Sequence, residues 1–262
     1  MNFFEYRNGE MHAEDVKVSE IAAKVGTPFY LYSSASLEYQ YNQFKEAFGN
    51  LDLLICYAVK ANTNQAVIRT LGDIGAGADV VSEGEMRRVL AAGIPASKIV
   101  YSGVAKTVDE MTFALEQGIY QFNVESEPEL LQLSEVASSM NKTADITFRV
   151  NPDVDARTHA KISTGKSENK FGVPWLQVRE LCKEASELPG VKLVGLDLHI
   201  GSQITDLDPF EEAFSRITGL IETLREDGHD ITRLDLGGGL GIPYEGDDFP
   251  PLPREYAEMV RR

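Results

Sequence analysis

From residue 50 onward, short runs of β-branched and aromatic residues alternate with amphipathic stretches, a rhythm that predicts βα units laid side by side in a parallel sheet. The strand segments are 53–59 (LLICYAV), 78–81 (ADVV), 99–101 (IVY), 119–124 (IYQFNV), 144–150 (ADITFRV), 192–199 (KLVGLDLH) and 232–236 (TRLDL). Several intervening helices carry start signals: Ser82 with Glu85, Thr107 with Glu110 and Ser126 with Glu129 each match the S/T-x-x-E capping box, and Asp208 before Pro209 marks another first turn. Met86, Val89 and Leu90 in one stretch, and Phe214, Ile217, Ile221 and Leu224 in another, recur at helical spacing and supply faces to pack on the outside of the sheet. The fold class predicted is α/β, a TIM-type (β/α)8 barrel whose eighth strand is missing, because the sequence ends in the opening of a helix, PREYAEMVRR, after the seventh.

Two regions break the rhythm. Residues 1–35 hold FFEYRN and TPFYLYS around a short helical stretch, SEIAAKV, and read as part of a small separate β module, leaving 36–262 as the barrel. Residues 151–174 (NPDVDARTHAKISTGKSENKFGVP) form a long polar connection, and excursions of that length are usually functional or mobile.

Composition narrows the partners. A formal net charge of −16 repels phosphate backbones and anionic head groups, which argues against nucleic acid and membrane surfaces. The N-terminus, MNFFEYRNGEMHAED, lacks a basic region followed by an apolar one, and no apolar run is long enough to span a bilayer, so a cytoplasmic location is expected. Cys56 and Cys182 have neither metal-ligand spacing nor the density of a disulfide framework and read as small buried hydrophobes.

In a parallel βα barrel the chemistry gathers at the C-terminal ends of the strands. Here strand one ends in Lys60, strand two begins with or contains Asp79, strand five carries Arg149, strand six ends in His199, and strand seven runs into Gly237, Gly238 and Gly239. A strand-end lysine is on its own usually a solvated group, but Lys60 follows the apolar YAV of a buried strand, where desolvation would make its amine available for carbonyl chemistry. Consecutive glycines cost backbone entropy; a tight turn is one use for them, and close approach of bare amides to a phosphate is another. Lysine and glycines together suggest a phosphorylated aldehyde, pyridoxal phosphate. His199, in HIGSQ, reads either as a core histidine satisfied by backbone or as a flat ring stacked on the cofactor, with Ser202 or Gln203 offering hydrogen bonds to the phosphate.

The segments YAVKANTN (57–64), GADVVSEGE (77–85), HIGSQ (199–203) and DLGGGLGIPY (235–244), with TPFYLYS (27–33) before them, resemble in order the signature segments of the diaminopimelate decarboxylases. These are fold-type III pyridoxal-phosphate enzymes, a group that includes ornithine and arginine decarboxylases and alanine racemase. The resemblance implies that Lys60 holds pyridoxal 5'-phosphate as a Schiff base and that His199 stacks on its ring. It implies that Asp79 and Arg149 line the cofactor pocket, that Ser202 and Gly237 to Gly239 bind the phosphate, and that 159–172 is an active-site loop; no metal is implied. The implied reaction takes carbon dioxide from meso-2,6-diaminopimelate to give L-lysine, on a homodimeric enzyme whose only other partner is the amino-acid substrate. Family members continue past this point with a Glu-Pro-Gly-Arg strand and a C-terminal β domain, so the isolated chain is expected to be inactive. Rival expectations are a single-barrel, non-catalytic pyridoxal-phosphate carrier, or another decarboxylase or racemase of the same fold type.

Overall fold

A computed structural model describes residues 3–156, 164–165, 171–244 and 249–262. It begins with a three-stranded antiparallel sheet of β1 (Phe4–Arg7), β2 (Glu10–Ala13) and β3 (Val16–Lys17). Its first hairpin turns on Asn8 and Gly9, both at positive φ (51° and 80°), the backbone that a two-residue loop between twisted strands requires. Helix α1 (Val18–Val25) follows, so the β-like reading of the N-terminal segment takes the form of a short meander that pairs with no other described strand.

After α2 (Ser34–Phe48) come the repeating units: β4 (Cys56–Ala58), α3 (Gln65–Asp73), β5 (Gly77–Val80), α4 (Glu83–Ala91), β6 (Ile99–Tyr101), α5 (Val108–Gln117), β7 (Gln121–Val124) and α6 (Glu127–Ser139). They continue through β8 (Ala144–Asn151), the short β9 (Val173–Pro174), α7 (Val178–Glu187), β10 (Val191–Asp197), α8 (Asp208–Glu226), β11 (Arg233–Asp235) and α9 (Pro253–Arg261). The main sheet is parallel in the order β11-β10-β8-β7-β6-β5-β4, each strand beside its predecessor, with β9 added to β8. All seven expected strands are present. The first is shorter than 53–59, because the chain leaves β4 for a single 3-10 turn, Val59–Ala61, which the Tyr57 hydroxyl braces by donating to the Asn62 carbonyl at 3.1 Å.

The sheet is strongly curled. Asn123 on β7 donates through Nδ2 to Asp235 Oδ2 on the edge strand β11 at 3.1 Å, although β8 and β10 lie between them. The helices from the two ends of the sheet also meet, since Tyr256 of α9 sits edge-on to Phe44 and Phe48 of α2 and to Phe210 of α8.

Register fixes which residues face which way. Ala78, Val80, Ile99, Tyr101, Phe122, Val124, Ile146, Phe148 and Leu196 alternate with the inward set and are buried beneath the helices. Each large member contributes about 1.5–3 kcal/mol through apolar burial. The opposite face carries Asp79, Gln121, Asn123, Thr147, Arg149, Asp197 and Asp235, so the barrel interior is polar. Its N-terminal end is stoppered by Arg233, which donates to the Tyr120 carbonyl (3.0 Å) and to Asp145 Oδ2 (2.8 Å).

The predicted helix starts are in place. Thr107 and Glu110 form a reciprocal capping box, while Ser82 and Ser126 accept from the amides of Glu85 and Glu129, whose carboxylates reach one residue further back, to Val81 and Glu125. Helix α8 starts at Asp208 with Pro209 in its first turn, as expected, and the Asp206 carboxylate accepts the Asp208 amide at 3.0 Å.

Candidate active site

The mouth of the barrel is organised around one buried ion pair. Arg149, near the end of β8, donates to Glu125 Oε1 at 3.0 Å, and that oxygen also accepts from the Gly103 amide at 2.9 Å. The other oxygen, Oε2, accepts from the Gly172 amide at 3.3 Å, and the Arg149 guanidinium lies 5.0 Å from the Phe171 ring. A carboxylate at the end of β7 therefore ties together the loop after β6, the guanidinium and the chain entering β9. The loop after β6 is anchored again by buried Lys106, which donates to the carbonyls of Gly103 and Asn123 and to Glu129 Oε1.

Three carboxylates, Asp79, Asp197 and Asp235, share the interior face with Arg149, Asp197 being its register partner on β10. Asp197 and Asp235 are register partners on adjacent strands. Burial, reinforced by the charge of Asp235, pushes the Asp197 carboxyl well above its ordinary range. Burial likewise pushes Asp79 up to about 6; Ser102, Lys60 and Arg149 pull the other way. Asp79 Oδ1 is closed to solvent and has no hydrogen-bond partner, although the residue as a whole keeps some exposure. A carboxylate so placed favours its protonated form or an additional donor.

His199 stands two residues beyond β10, its Nδ1 2.7 Å from the Gly237 carbonyl oxygen. A carbonyl only accepts, so Nδ1 carries the proton and Nε2 keeps its lone pair. Burial, with Arg149 and Lys60 close by, lowers the ring's pKa to about 4, which leaves it neutral at physiological pH. The glycine run is zipped to the turn after His199: Ile204 donates to the Gly239 carbonyl, Gly241 to that of Ile204, and Gln203 exchanges side-chain bonds with the backbone of Ile242. Of the long 151–174 connection, the described Thr164 binds the His199 carbonyl through its hydroxyl (2.6 Å) and the Ile200 carbonyl through its amide (3.0 Å).

Lys60, Asp79, Arg149 and His199 thus come together, since each shifts or is shifted by another of the set. One expectation is corrected: Lys60 does not end a buried extended strand but lies, exposed, in the 3-10 turn after β4. The glycines are not equivalent either. Gly237 gives its amide to Asp235 Oδ1, whereas those of Gly238 and Gly239 donate to no described residue. Ser202 is exposed in the turn after His199. Most of 159–172 lies outside the described residues. Sequence reasoning missed Glu125, Asn123, Asp197 and Asp235, although Gln121, Asn123 and Glu125, and again Asp197 and His199, stand two residues apart and mark an inward polar face.

The site accommodates pyridoxal phosphate. An exposed lysine, a neutral flat ring, and, among the described residues, glycine amides without an acceptor and a buried carboxylate oxygen without a donor are the groups such a cofactor would engage. Residues 34–262 match the family model described as pyridoxal-dependent decarboxylase, pyridoxal binding domain. The chain is 52% identical over 260 residues to a diaminopimelate decarboxylase of Haemophilus influenzae, covering 99% of this chain and 62% of that protein. It is 48% identical over 261 residues to that of Pseudomonas aeruginosa, covering 100% and 63%. Among solved structures it resembles diaminopimelate decarboxylase from Helicobacter pylori complexed with L-lysine (39% identity, TM-score 0.90, 93% of this chain and 61% of that one). It also resembles the M. jannaschii enzyme in co-complex with L-lysine (38%, TM-score 0.93, 99% and 62%). The chain therefore spans less than two thirds of the length of these relatives.

Proposed function

Because the chain belongs to the pyridoxal-dependent decarboxylase family, we propose that it forms the cofactor-binding part of a decarboxylase that converts meso-2,6-diaminopimelate to L-lysine. The observation that carries this reading is the convergence of Lys60, Asp79, Arg149, His199 and the glycine run at one end of the curled sheet. The names of the relatives support the substrate, and the match beginning at residue 34 supports a boundary near residue 35 between the N-terminal meander and the barrel. The cytoplasmic location and homodimeric assembly implied by the resemblance belong to the same proposal.

When bound, pyridoxal phosphate supplies an electron sink for the pair left behind as carbon dioxide departs. The chain's own part is positioning and electrostatics. Lys60, in the turn after β4, presents the amine that would hold the cofactor. His199, neutral and fixed through Nδ1, offers a flat face that draws no charge away from the ring. The Gly238 and Gly239 amides, with Ser202, would hold the phosphate. Arg149, held by Glu125, keeps a positive charge beside Asp79 and Asp197 and prevents the acidic interior from repelling an anionic group.

Carbon dioxide release by the intact protein, supplied with pyridoxal phosphate and offered meso-2,6-diaminopimelate, ornithine, arginine or lysine, tests the reading. Release from diaminopimelate alone, with equimolar lysine formed, is expected. Preference for ornithine or arginine would refute the substrate.

A further inference from the structure

The imidazole of His199 is oriented by a path of two hydrogen bonds that starts on the neighbouring strand. Asp235, the last residue of β11, accepts the Gly237 amide on Oδ1 (3.0 Å) and Asn123 Nδ2 on Oδ2 (3.1 Å), and its main-chain carbonyl accepts the Leu198 amide (3.1 Å). Both carboxylate oxygens are thus engaged, and the main chain of the same residue is tied to the end of β10. Gly237 takes φ +67°, and a Cβ there would run into the Leu198 carbonyl and come within 2.8 Å of His199 Cβ, so its backbone is pressed against the end of β10. Its carbonyl accepts His199 Nδ1–H at 2.7 Å. Resting on the reading of His199 as the ring that faces the cofactor, we propose that Asp235 is a positioning residue for His199: by pinning the Gly237 amide it fixes the carbonyl that sets the tautomer and plane of the imidazole.

The residue type supports this. Gly237, Gly238 and Gly239 all lie at positive φ, the most pliable stretch a chain can make. Its far end is clamped by Ile204 and Gln203, and its near end by Asp235. Both bonds to the Asp235 carboxylate come from donors, so the side chain must accept on both oxygens. An asparagine would face its NH2 toward Asn123 Nδ2. Asn123 has no freedom to turn over, because its Oδ1 already accepts from Gln121 Nε2 (2.9 Å) and Thr147 Oγ1 (2.7 Å). Keeping an ionisable carboxylate next to Asp197 is unfavourable, and a double acceptor at this point is what it supplies.

The test uses the intact, cofactor-free protein labelled with 15N-histidine, with the His199 resonances identified by their loss in His199→Gln. In the unmodified protein His199 should be the Nδ1–H tautomer and titrate well below 6.5. Asp235→Ala should mix the tautomers, lower that pKa further because the Gly237 hydrogen bond that raises it is loosened, and, in a separate titration, weaken pyridoxal-phosphate binding on the order of tenfold, inside the ~hundredfold that ~1 Å misplacement can cost. Asn123→Ala and Asp235→Asn, which break the other contact but leave Gly237 an acceptor, should lower Tm while His199 keeps its tautomer. If Asp235→Ala does not fold, the near-isosteric Asp235→Leu removes the acceptor without leaving a void, with the same outcome expected. An unchanged His199 tautomer in the acceptor-less variant, or an equal change in Asn123→Ala, would overturn the proposal. Since these signals are read without cofactor, failure of the functional reading would show separately, as absence of a covalent adduct at Lys60.

Discussion

Arg149 Nη1 and Glu125 Oε1 lie 3.0 Å apart at the ends of adjacent strands, with both side chains largely shut from solvent. Removing one partner of such a pair leaves a charge stranded in low dielectric, which costs about 3–5 kcal/mol. Glu125→Ala should lose stability of that order in urea unfolding, because Gly103 and Gly172 lose their acceptor as well. Glu125→Gln, which keeps an acceptor, should lose less. A loss under about 1 kcal/mol for the alanine variant would show that the mouth is not built on this pair.

His199 gives the protein an acid-sensitive limb. Its folded pKa is lowered from 6.5 to about 4, so between those values the unfolded chain binds the proton more readily. Stability from this residue is therefore complete above pH 6.5 and lost as pH falls toward 4, by about 3 kcal/mol at most since the ring keeps some exposure. Urea unfolding of the unmodified protein and His199→Phe across that range should converge in slope only above pH 6.5. Parallel curves throughout would contradict a neutral, buried imidazole.

Asp79 works in the opposite direction. Raised by burial from 3.8 to about 6, its carboxyl favours folding below pH 3.8, and that contribution is lost as pH rises through 6. Asp79→Asn should accordingly be more stable than the unmodified protein at pH 8, by on the order of 2 kcal/mol, with no gain near pH 4. Cofactor affinity should fall in the same variant, since a pocket group is lost.

The glycine run separates steric need from conformational need. Gly237→Ala meets the Leu198 carbonyl and His199 as well as an unfavourable φ and should destabilise severely. Gly238→Ala, at φ +62° with open space around it, should cost only the left-handed penalty of about 1–2 kcal/mol. Thermal unfolding of the two variants distinguishes them; equal losses would mean that the packing of Gly237 on β10 is not real.

The parallel order of the sheet was legible because each strand is a short apolar run set between helix signals, and the capping pairs at Ser82, Thr107 and Ser126 act within a few residues of themselves. Lys60, Arg149 and His199 were legible by their place at or just beyond strand ends, and Asp79 as a polar residue within an apolar strand. What stayed hidden depends on contacts distant in sequence. Asn123 meets Asp235 only because the sheet curls, and Glu125 meets Gly172 only through the packing of β9. The exposure of Lys60 was hidden too, because nothing local announces that β4 ends at Ala58 in a tight turn rather than carrying an extended strand to the lysine.

Lys60 is the residue through which this barrel mouth is proposed to hold pyridoxal phosphate. Incubation with the cofactor, borohydride reduction and peptide mapping test it most directly. A stable adduct confined to the peptide containing Lys60, and abolished in Lys60→Ala, is the predicted result. An adduct of equal yield on another lysine, or one that persists in Lys60→Ala, would contradict it.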